Sequence, residues 1–176
     1  MLSLQDPTVT IRTLLRKRVS LVAALATAAI GATLSLSASP ASAATTYWNF
    51  RNDATGKCIT AGVSSGSSVW ADTCTYGNSQ DWSWVKTSYT DGFKLLKSRS
   101  SGKCLHYSFG LANSTMWQAP CDTNSPSEMF YYVGATHSLL SEADYWDVTM
   151  DPSSAKGVYV KALPAGGKYS YWTGSH

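Results

Sequence analysis

The sequence predicts an all-β domain built from three copies of one repeat. Two observations support this prediction: short segments return in the same order at intervals of about 46 to 48 residues, and apolar residues alternate with polar ones as in half-buried strands. In addition, no stretch after residue 43 has the apolar spacing of an amphipathic helix. Each repeat contains about four strand candidates, so we expect about twelve strands in all.

The first 43 residues have the features of a secretion signal. Four basic residues between Arg12 and Arg18 precede an apolar stretch from Val19 to Leu36. Ala41-Ser42-Ala43 then matches a signal peptidase site, so we predict cleavage before Ala44 and a secreted, extracellular domain of residues 44–176. An uncleaved membrane anchor is the alternative, because the apolar stretch approaches the length of a membrane-spanning helix. After cleavage we expect no membrane association.

The domain that remains after cleavage is close to neutral and rich in aromatic residues. The whole chain has a formal net charge of +3, but residues 44–176 contain as many acidic as basic side chains. Nucleic acids and anionic membranes require a clustered basic surface, so the sequence predicts neither as a partner. All four Phe, seven Trp and ten Tyr lie in this part of the chain and supply apolar area for a core.

The first two repeats match at three places, and the third repeat is weaker. The matching segments are Thr55–Ile59 with Ser101–Leu105, Val69 to Cys74 with Met116 to Cys121, and Gln80–Val85 with Glu128–Val133. In the third repeat we align Tyr145–Val148 with the first-cysteine segments and Val158 to Leu163 with the second-cysteine segments. The repeats therefore cover about residues 44–90, 91–134 and 135–176.

The four cysteines lie in the first two repeats, and their even number in an exported chain favours disulfides. In our alignment the third repeat has Tyr145 and Leu163 at the two cysteine positions, so both cysteines are absent together. This joint absence predicts pairing within repeats, Cys58 with Cys74 and Cys104 with Cys121. A zinc site is the alternative, but the sequence contains no C-x-x-C motif and few histidines. We predict no metal and no cofactor.

These residues resemble the repeat of the ricin-type β-trefoil lectins. That repeat reads Gly-Lys-Cys-Leu-Asp, a Gly/Ser turn, an apolar-Gln-x-aromatic-x-Cys segment and Asn-Gln-x-Trp. Gly56-Lys57-Cys58-Ile59, Cys74 and Gln80-Asp81-Trp82 match it in the first repeat. The resemblance covers about residues 44–176. It implies a β-trefoil of three four-stranded lobes around a pseudo-threefold axis, with disulfides within lobes and no enzymatic activity.

The family's sugar-binding positions hold other residues in this sequence. The family has an Asp two residues after the first cysteine; our alignment gives Thr60, His106 and Asp147 there. The family's stacking aromatic residue lies two positions before the second cysteine, where this sequence has Asp72, Ala119 and Lys161. Two positions earlier still, however, each repeat has an aromatic residue: Trp70, Trp117 and Tyr159.

We predict that these displaced rings bind carbohydrate, an oligosaccharide or polysaccharide. Residues two apart on a strand share a face, so each ring projects from the same side as the family's stacking residue. The residues before them, Val69, Met116 and Val158, point into the core. The predicted binding residues are Thr60, Trp70, Asp72, His106, Trp117, Asp147, Tyr159 and Lys161. The third repeat is the strongest candidate, and the alternative is that the rings only pack over the disulfides.

The predicted function is therefore that of a monomeric, non-catalytic lectin-like module. After Ala44 the only glutamates are Glu128 and Glu142, and the sequence has no nucleophile elbow, His-Glu-x-x-His motif or phosphate loop. The alternative is a trefoil that binds a protein or inhibits a protease through residues 62–68 or 124–127. Free sugar would elute a lectin from a sugar column, whereas an inhibitor would ignore sugars.

Overall fold

A computed structural model describes most of the chain after residue 42. The described residues are 43–63, 67–89, 91–111, 113–142, 145–151, 157–162 and 167–176. Residues 1–42 of the predicted signal peptide and Leu163 lie outside these ranges, and signal cleavage stays a prediction. Within the described ranges, no helix has the length and apolar character needed to cross a membrane.

The fold is all-β, as predicted, with twelve described strands that divide four to a repeat. The first repeat contains β1 Asn49–Asn52, β2 Lys57–Ala61, β3 Val69–Thr73 and β4 Trp82–Lys86. The second contains β5 Lys94–Ser98, β6 Cys104–His106, β7 Trp117–Ala119 and β8 Met129–Val133. The third contains β9 Ser138–Ser141, β10 Asp147–Met150, β11 Val158–Lys161 and β12 Trp172–Ser175. A 3-10 turn precedes β8 at Pro126–Glu128, and another lies just before β12 at Lys168–Ser170.

Six of the strands form a closed barrel. Antiparallel ladders join β12 to β1, β4 to β5, β5 to β8 and β8 to β9. Two isolated bridges complete the ring. Trp48 bridges to Trp82 between β1 and β4, and Ser138 bridges to Tyr171 between β9 and β12. The other six strands form three hairpins, β2–β3, β6–β7 and β10–β11, one from each repeat. This arrangement is a β-trefoil.

The three hairpins meet around the pseudo-threefold axis. The backbone N–H of Val69 donates to the carbonyl of Met116 at 3.0 Å, and that of Met116 donates to Val158 at 3.0 Å. All three side chains are buried, which confirms their predicted place in the core. In the same strands the neighbouring residues face outward, because side chains alternate across a strand. The hairpins thus cover one end of the barrel and present every second residue of β3, β7 and β11 to solvent.

Equivalent aromatic residues anchor the hairpins to the barrel. The strands β4 and β12 begin at Trp82 and Trp172, and Phe130 is the second residue of β8. All three side chains are fully buried. The indole N–H of Trp82 donates to the carbonyl of Ile59 at 3.2 Å, and that of Trp172 donates to Val148 at 2.7 Å. Each tryptophan therefore pairs its own buried N–H with a hairpin carbonyl, as a buried indole requires.

Both predicted disulfides are present. Cys58 is bonded to Cys74 and Cys104 to Cys121, with Cα–Cα distances of 5.0 and 4.9 Å. Each bridge stays within its repeat. Gly56 and Gly102, two residues before the first cysteine of each pair, have φ of +69° and +70°. Glycine adopts this left-handed conformation without steric cost, which explains the shared Gly-Lys-Cys sequence.

The strand register corrects our alignment of the third repeat by two residues. Asp147 lies opposite Lys161, as Cys58 lies opposite Asp72, so Asp147 and not Tyr145 occupies the first-cysteine position. Tyr145 instead matches the turn glycines and has φ +53°. Thr149, opposite Tyr159, takes the place of Thr60. No repeat therefore has an Asp at the family's sugar-binding position.

Candidate functional site

The three displaced aromatic residues have equivalent places on the hairpins. Trp70 lies opposite Thr60, Trp117 opposite His106 and Tyr159 opposite Thr149. All three rings are partly exposed, whereas the residues before them are buried. The rings are therefore placed where a ligand could reach them.

In the first lobe, Thr60 belongs to a buried network. Its side chain is 6% exposed, and its hydroxyl donates to the carbonyl of Cys58 at 3.0 Å while accepting from Nε2 of Gln80 at 3.0 Å. Oε1 of Gln80 in turn accepts the backbone N–H groups of Thr75 and Tyr76. Thr60 thus holds a loop in place, and the polar group beside the Trp70 ring is Asp72. Its Oδ2 accepts the indole N–H of Trp70 at 3.2 Å.

In the second lobe, His106 packs on Trp117. Their ring centroids are 4.6 Å apart, with an angle of 35° between the planes. Nδ1 of His106 is buried and has no hydrogen-bond partner among the described residues. Desolvation lowers the pKa of His106, so the imidazole is neutral at neutral pH. Ala119, the family's stacking position, offers no ring.

In the third lobe, Asp147 is separated from the exposed surface. Its side chain is 7% exposed, and its Oδ1 has no hydrogen-bond partner among the described residues. Burial raises the pKa of Asp147. Lys161, directly opposite on β11, is exposed. The predicted association of Asp147 with Tyr159 is therefore not supported by the register, which places Thr149 opposite Tyr159.

Tyr159 instead lines a cavity between the second and third repeats. The cavity has a volume of about 530 Å³ and is lined by Asn113, Thr115, Asp151, Gly157 and Tyr159. Burial, and secondly the charge of Asp151, raise the pKa of the Tyr159 phenol. An amide, a hydroxyl and a carboxylate thus line the same cavity as one aromatic ring. The three polar groups can hydrogen bond to a ligand while the ring contacts the ligand's apolar face.

A second cavity continues from the first across the pseudo-threefold axis. Its volume is about 340 Å³, and its walls include Ser68, Trp70, Thr115 and Gly157. Thr115 and Gly157 line both cavities. The backbone of Gly157 also bridges to Trp70, and that of Thr115 bridges to Tyr159. We call the two cavities together the axial groove; Trp70 lines one part of it and Tyr159 the other.

The repeat pattern of the sequence does not identify Asn113, Thr115 or Asp151 as site residues. Thr115 and Asn113 belong to the second repeat and reach the third through backbone contacts, such as the Asn113 N–H donating to Val160 at 3.0 Å. Comparison of repeats with one another does not show contacts between repeats. Among the described residues, no group of three or more His, Cys, Asp or Glu side chains could hold a metal ion.

Comparison with known proteins gives one family match and several structural neighbours. The model of the ricin-type beta-trefoil lectin domain matches residues 46–172. No curated protein matches the chain in sequence. ThreeFoil, a designed threefold symmetric protein, superposes with a TM-score of 0.66 at 18% identity, over 74% of this chain and 98% of its own.

Two natural proteins also share the fold. The Rhizoctonia solani agglutinin superposes with a TM-score of 0.60 at 15% identity, over 77% of this chain and 97% of its own. An exo-beta-1,3-galactanase from Clostridium thermocellum gives a TM-score of 0.64 at 18% identity and covers 74% of this chain. The chain spans only 30% of that enzyme. At these identities the superpositions show a common fold.

Proposed function

The chain belongs to the ricin-type β-trefoil lectin family, and we propose that it is a secreted, monomeric, non-catalytic module that binds an oligosaccharide along the axial groove. The observation that supports this proposal most directly is the setting of Tyr159. Its ring shares a cavity with the side chains of Asn113, Thr115 and Asp151. Sugars present an apolar face of C–H groups and a rim of hydroxyls, and this set of side chains offers a partner for each.

The groove favours a ligand of more than one sugar unit. Trp70 and Tyr159 line its two parts. Thr115 and Gly157 line both parts, and Gly157 has no side chain. Ser68 and Thr115 occupy the positions equivalent to Gly157 in the first and second repeats. A chain of more than two sugar units can therefore contact both rings across Gly157, with different units on the two rings.

The other predicted residues have different roles in this proposal. Asp72 orients the Trp70 indole, and Trp117 with His106 forms a secondary contact surface outside the groove. Lys161 lies on the exposed face of β11 next to Tyr159. Thr60 and Asp147 are buried and do not contact the ligand in this proposal. Thr60 stabilises the fold through its hydrogen bonds, whereas Asp147 destabilises it.

Replacing Tyr159 with Ala should lower affinity for the bound oligosaccharide by about tenfold or more, since the variant loses the stacking surface. A glycan array identifies the ligand, and titration calorimetry then measures the affinity. Tyr159→Phe keeps the ring and should retain most of the binding. Tyr89→Ala is the matched control, because Tyr89 is a tyrosine that is 41% exposed and lies outside the groove.

Unchanged affinity in Tyr159→Ala, with the variant still folded, would contradict the proposed site.

A second variant tests whether one ligand spans both parts of the axial groove. Trp70→Ala should weaken binding of a tetrasaccharide more than that of a disaccharide, because only the longer ligand spans both rings. Equal losses for the two ligands would show that Trp70 and Tyr159 do not share one ligand.

Secretion rests on the sequence of residues 1–43. We expect the protein recovered from the culture medium to begin at Ala44 or within a few residues of it. N-terminal sequencing measures this directly. Recovery of the full-length chain in the membrane fraction would contradict the proposal.

Exposed apolar residues on the hairpin tips favour binding of a protein as the second candidate function. Val63 is 82% exposed, and Phe109 and Leu111 are each 61% exposed. Such residues are costly to leave in water and are common in protein contacts. If no glycan binds and the purified domain inhibits a secreted protease in a manner that free sugar does not affect, the second candidate replaces the first.

A further inference from the structure

The barrel has a second aromatic cavity, remote in sequence from the axial groove. It lies where β4 turns into β5, the end of the barrel that we call the barrel mouth. Its volume is about 180 Å³, and Trp48, Trp84, Tyr131 and Tyr132 form most of its walls together with Lys94. Gly92 completes the rim, with Tyr131 3.4 Å from the place where a Cβ atom would be. None of these residues lines the axial groove.

The barrel mouth carries two lysines that face each other. Lys86 on β4 lies directly opposite Lys94 on β5. Two residues further into the barrel the same register pairs Trp84 with Leu96, both of which pack in the core. Because residues two apart share a face, Lys86 and Lys94 are on the same face as Trp84 and Leu96, at the end of the sheet, where both lysines are exposed.

The two facing lysines concentrate positive charge at the barrel mouth. Like charges directly opposite on antiparallel strands repel each other. Neither ammonium group forms an ion pair with a carboxylate of the described residues. An acidic group in the cavity would relieve the repulsion.

We propose that the barrel mouth is a second binding site, specific for a sugar unit that carries a carboxylate or sulfate group. The rings of Trp48, Trp84 and Tyr132 would contact the apolar face of the sugar, and Lys94 would donate a charge-assisted hydrogen bond to the acidic group. Lys86, across the ladder, adds attraction at longer range. This site goes beyond the proposed function, which assigns only the axial groove.

The test compares Lys94→Gln with Lys97→Gln. Both variants remove one positive charge from β5, but Lys97 lies opposite Ser83 and on the other face of the strand. The probes are an oligogalacturonate, which supplies carboxylates, a heparin oligosaccharide, which supplies sulfates, and a neutral galacto-oligosaccharide. We expect the wild-type protein to bind at least one acidic probe, with affinity that falls as salt increases. Lys94→Gln should lower that affinity by about tenfold, and Lys97→Gln by less than about twofold.

Further measurements separate this proposal from the axial groove. Lys94→Gln should leave binding of neutral glycans unchanged and should unfold at the same or a higher temperature than the wild type, because it relieves a like-charge contact. Tyr159→Ala should leave binding of the acidic probe unchanged. The proposal is overturned if neither acidic probe binds, if both lysine variants lose affinity equally, or if Tyr159→Ala abolishes acidic binding.

Discussion

Removing both disulfides should lower the free energy of unfolding by about 6 kcal/mol, about 3 kcal/mol for each bridge. The bridges join residues 16 and 17 apart, and a cross-link of this span mainly restricts the unfolded chain. Because the bridges lie in separate repeats, their contributions should add. Domains of this size are commonly stable by about 5–15 kcal/mol, so the fully reduced protein should be close to unfolding.

Urea denaturation of paired alanine variants measures this effect. One variant replaces Cys58 and Cys74, the second replaces Cys104 and Cys121, and the third combines all four changes. Paired replacement avoids leaving a free thiol. A loss below about 1 kcal/mol in either paired variant would show that the bridge is not restricting the unfolded chain as its span requires.

Replacing Asp147 with Asn should raise the free energy of unfolding at neutral pH, because an ionised carboxylate is more costly to bury than a neutral amide. Asp147 occupies the place of a buried cysteine, and its Oδ1 lacks a partner among the described residues. Burial raises the pKa of Asp147 above its value in the unfolded chain, so the folded state binds the proton more tightly. The penalty for the ionised carboxylate is absent below the unfolded pKa and develops as pH rises through the folded pKa. Asparagine carries no such charge.

The advantage of Asp147→Asn should therefore disappear in acid, and unfolding measured across the pH range tests this. Asp53→Asn is a control of opposite sign. Burial alone would raise the pKa of Asp53, but hydrogen bonds from Thr173 and His137 outweigh it and lower the pKa. Asp53→Asn should be less stable than the wild type at neutral pH, with the difference lost as pH falls. Equal stability of Asp147→Asn and the wild type at every pH would contradict the assignment of a penalty to Asp147.

The parts of the fold that recur with cysteines could be predicted from the sequence. The Gly-Lys-Cys turn and the second cysteine identified two repeats and predicted the outward position of Trp70 and Trp117. The joint absence of both cysteines from the third repeat predicted the disulfide pairing. The third repeat has no cysteine, and we aligned it on Tyr145 and missed the register by two residues. The apolar alternation was the better guide, because Val148 and Met150 match Ile59 and Ala61, which are also buried.

The candidate site could be predicted only in part, since it forms between repeats. Tyr159 was identified because it recurs within the repeat pattern. Asn113 and Asp151 do not recur, and they share a cavity only because β7 of the second repeat and β11 of the third meet at the axis. The facing pair of Lys86 and Lys94 likewise depends on the β4–β5 register, which the intervening turn sets.

The pairing of β1 with β12 determines the order in which this fold can be completed. Asp53 and Thr173, which hydrogen bond at one end of that pair, are 120 residues apart in the chain. Contacts of such large sequence separation are slow to form, because a long loop must close before they are made. The barrel cannot close until the last strand has been synthesised. The two disulfides, in contrast, each span one hairpin and need no residue of the third repeat. They can therefore form before the barrel closes.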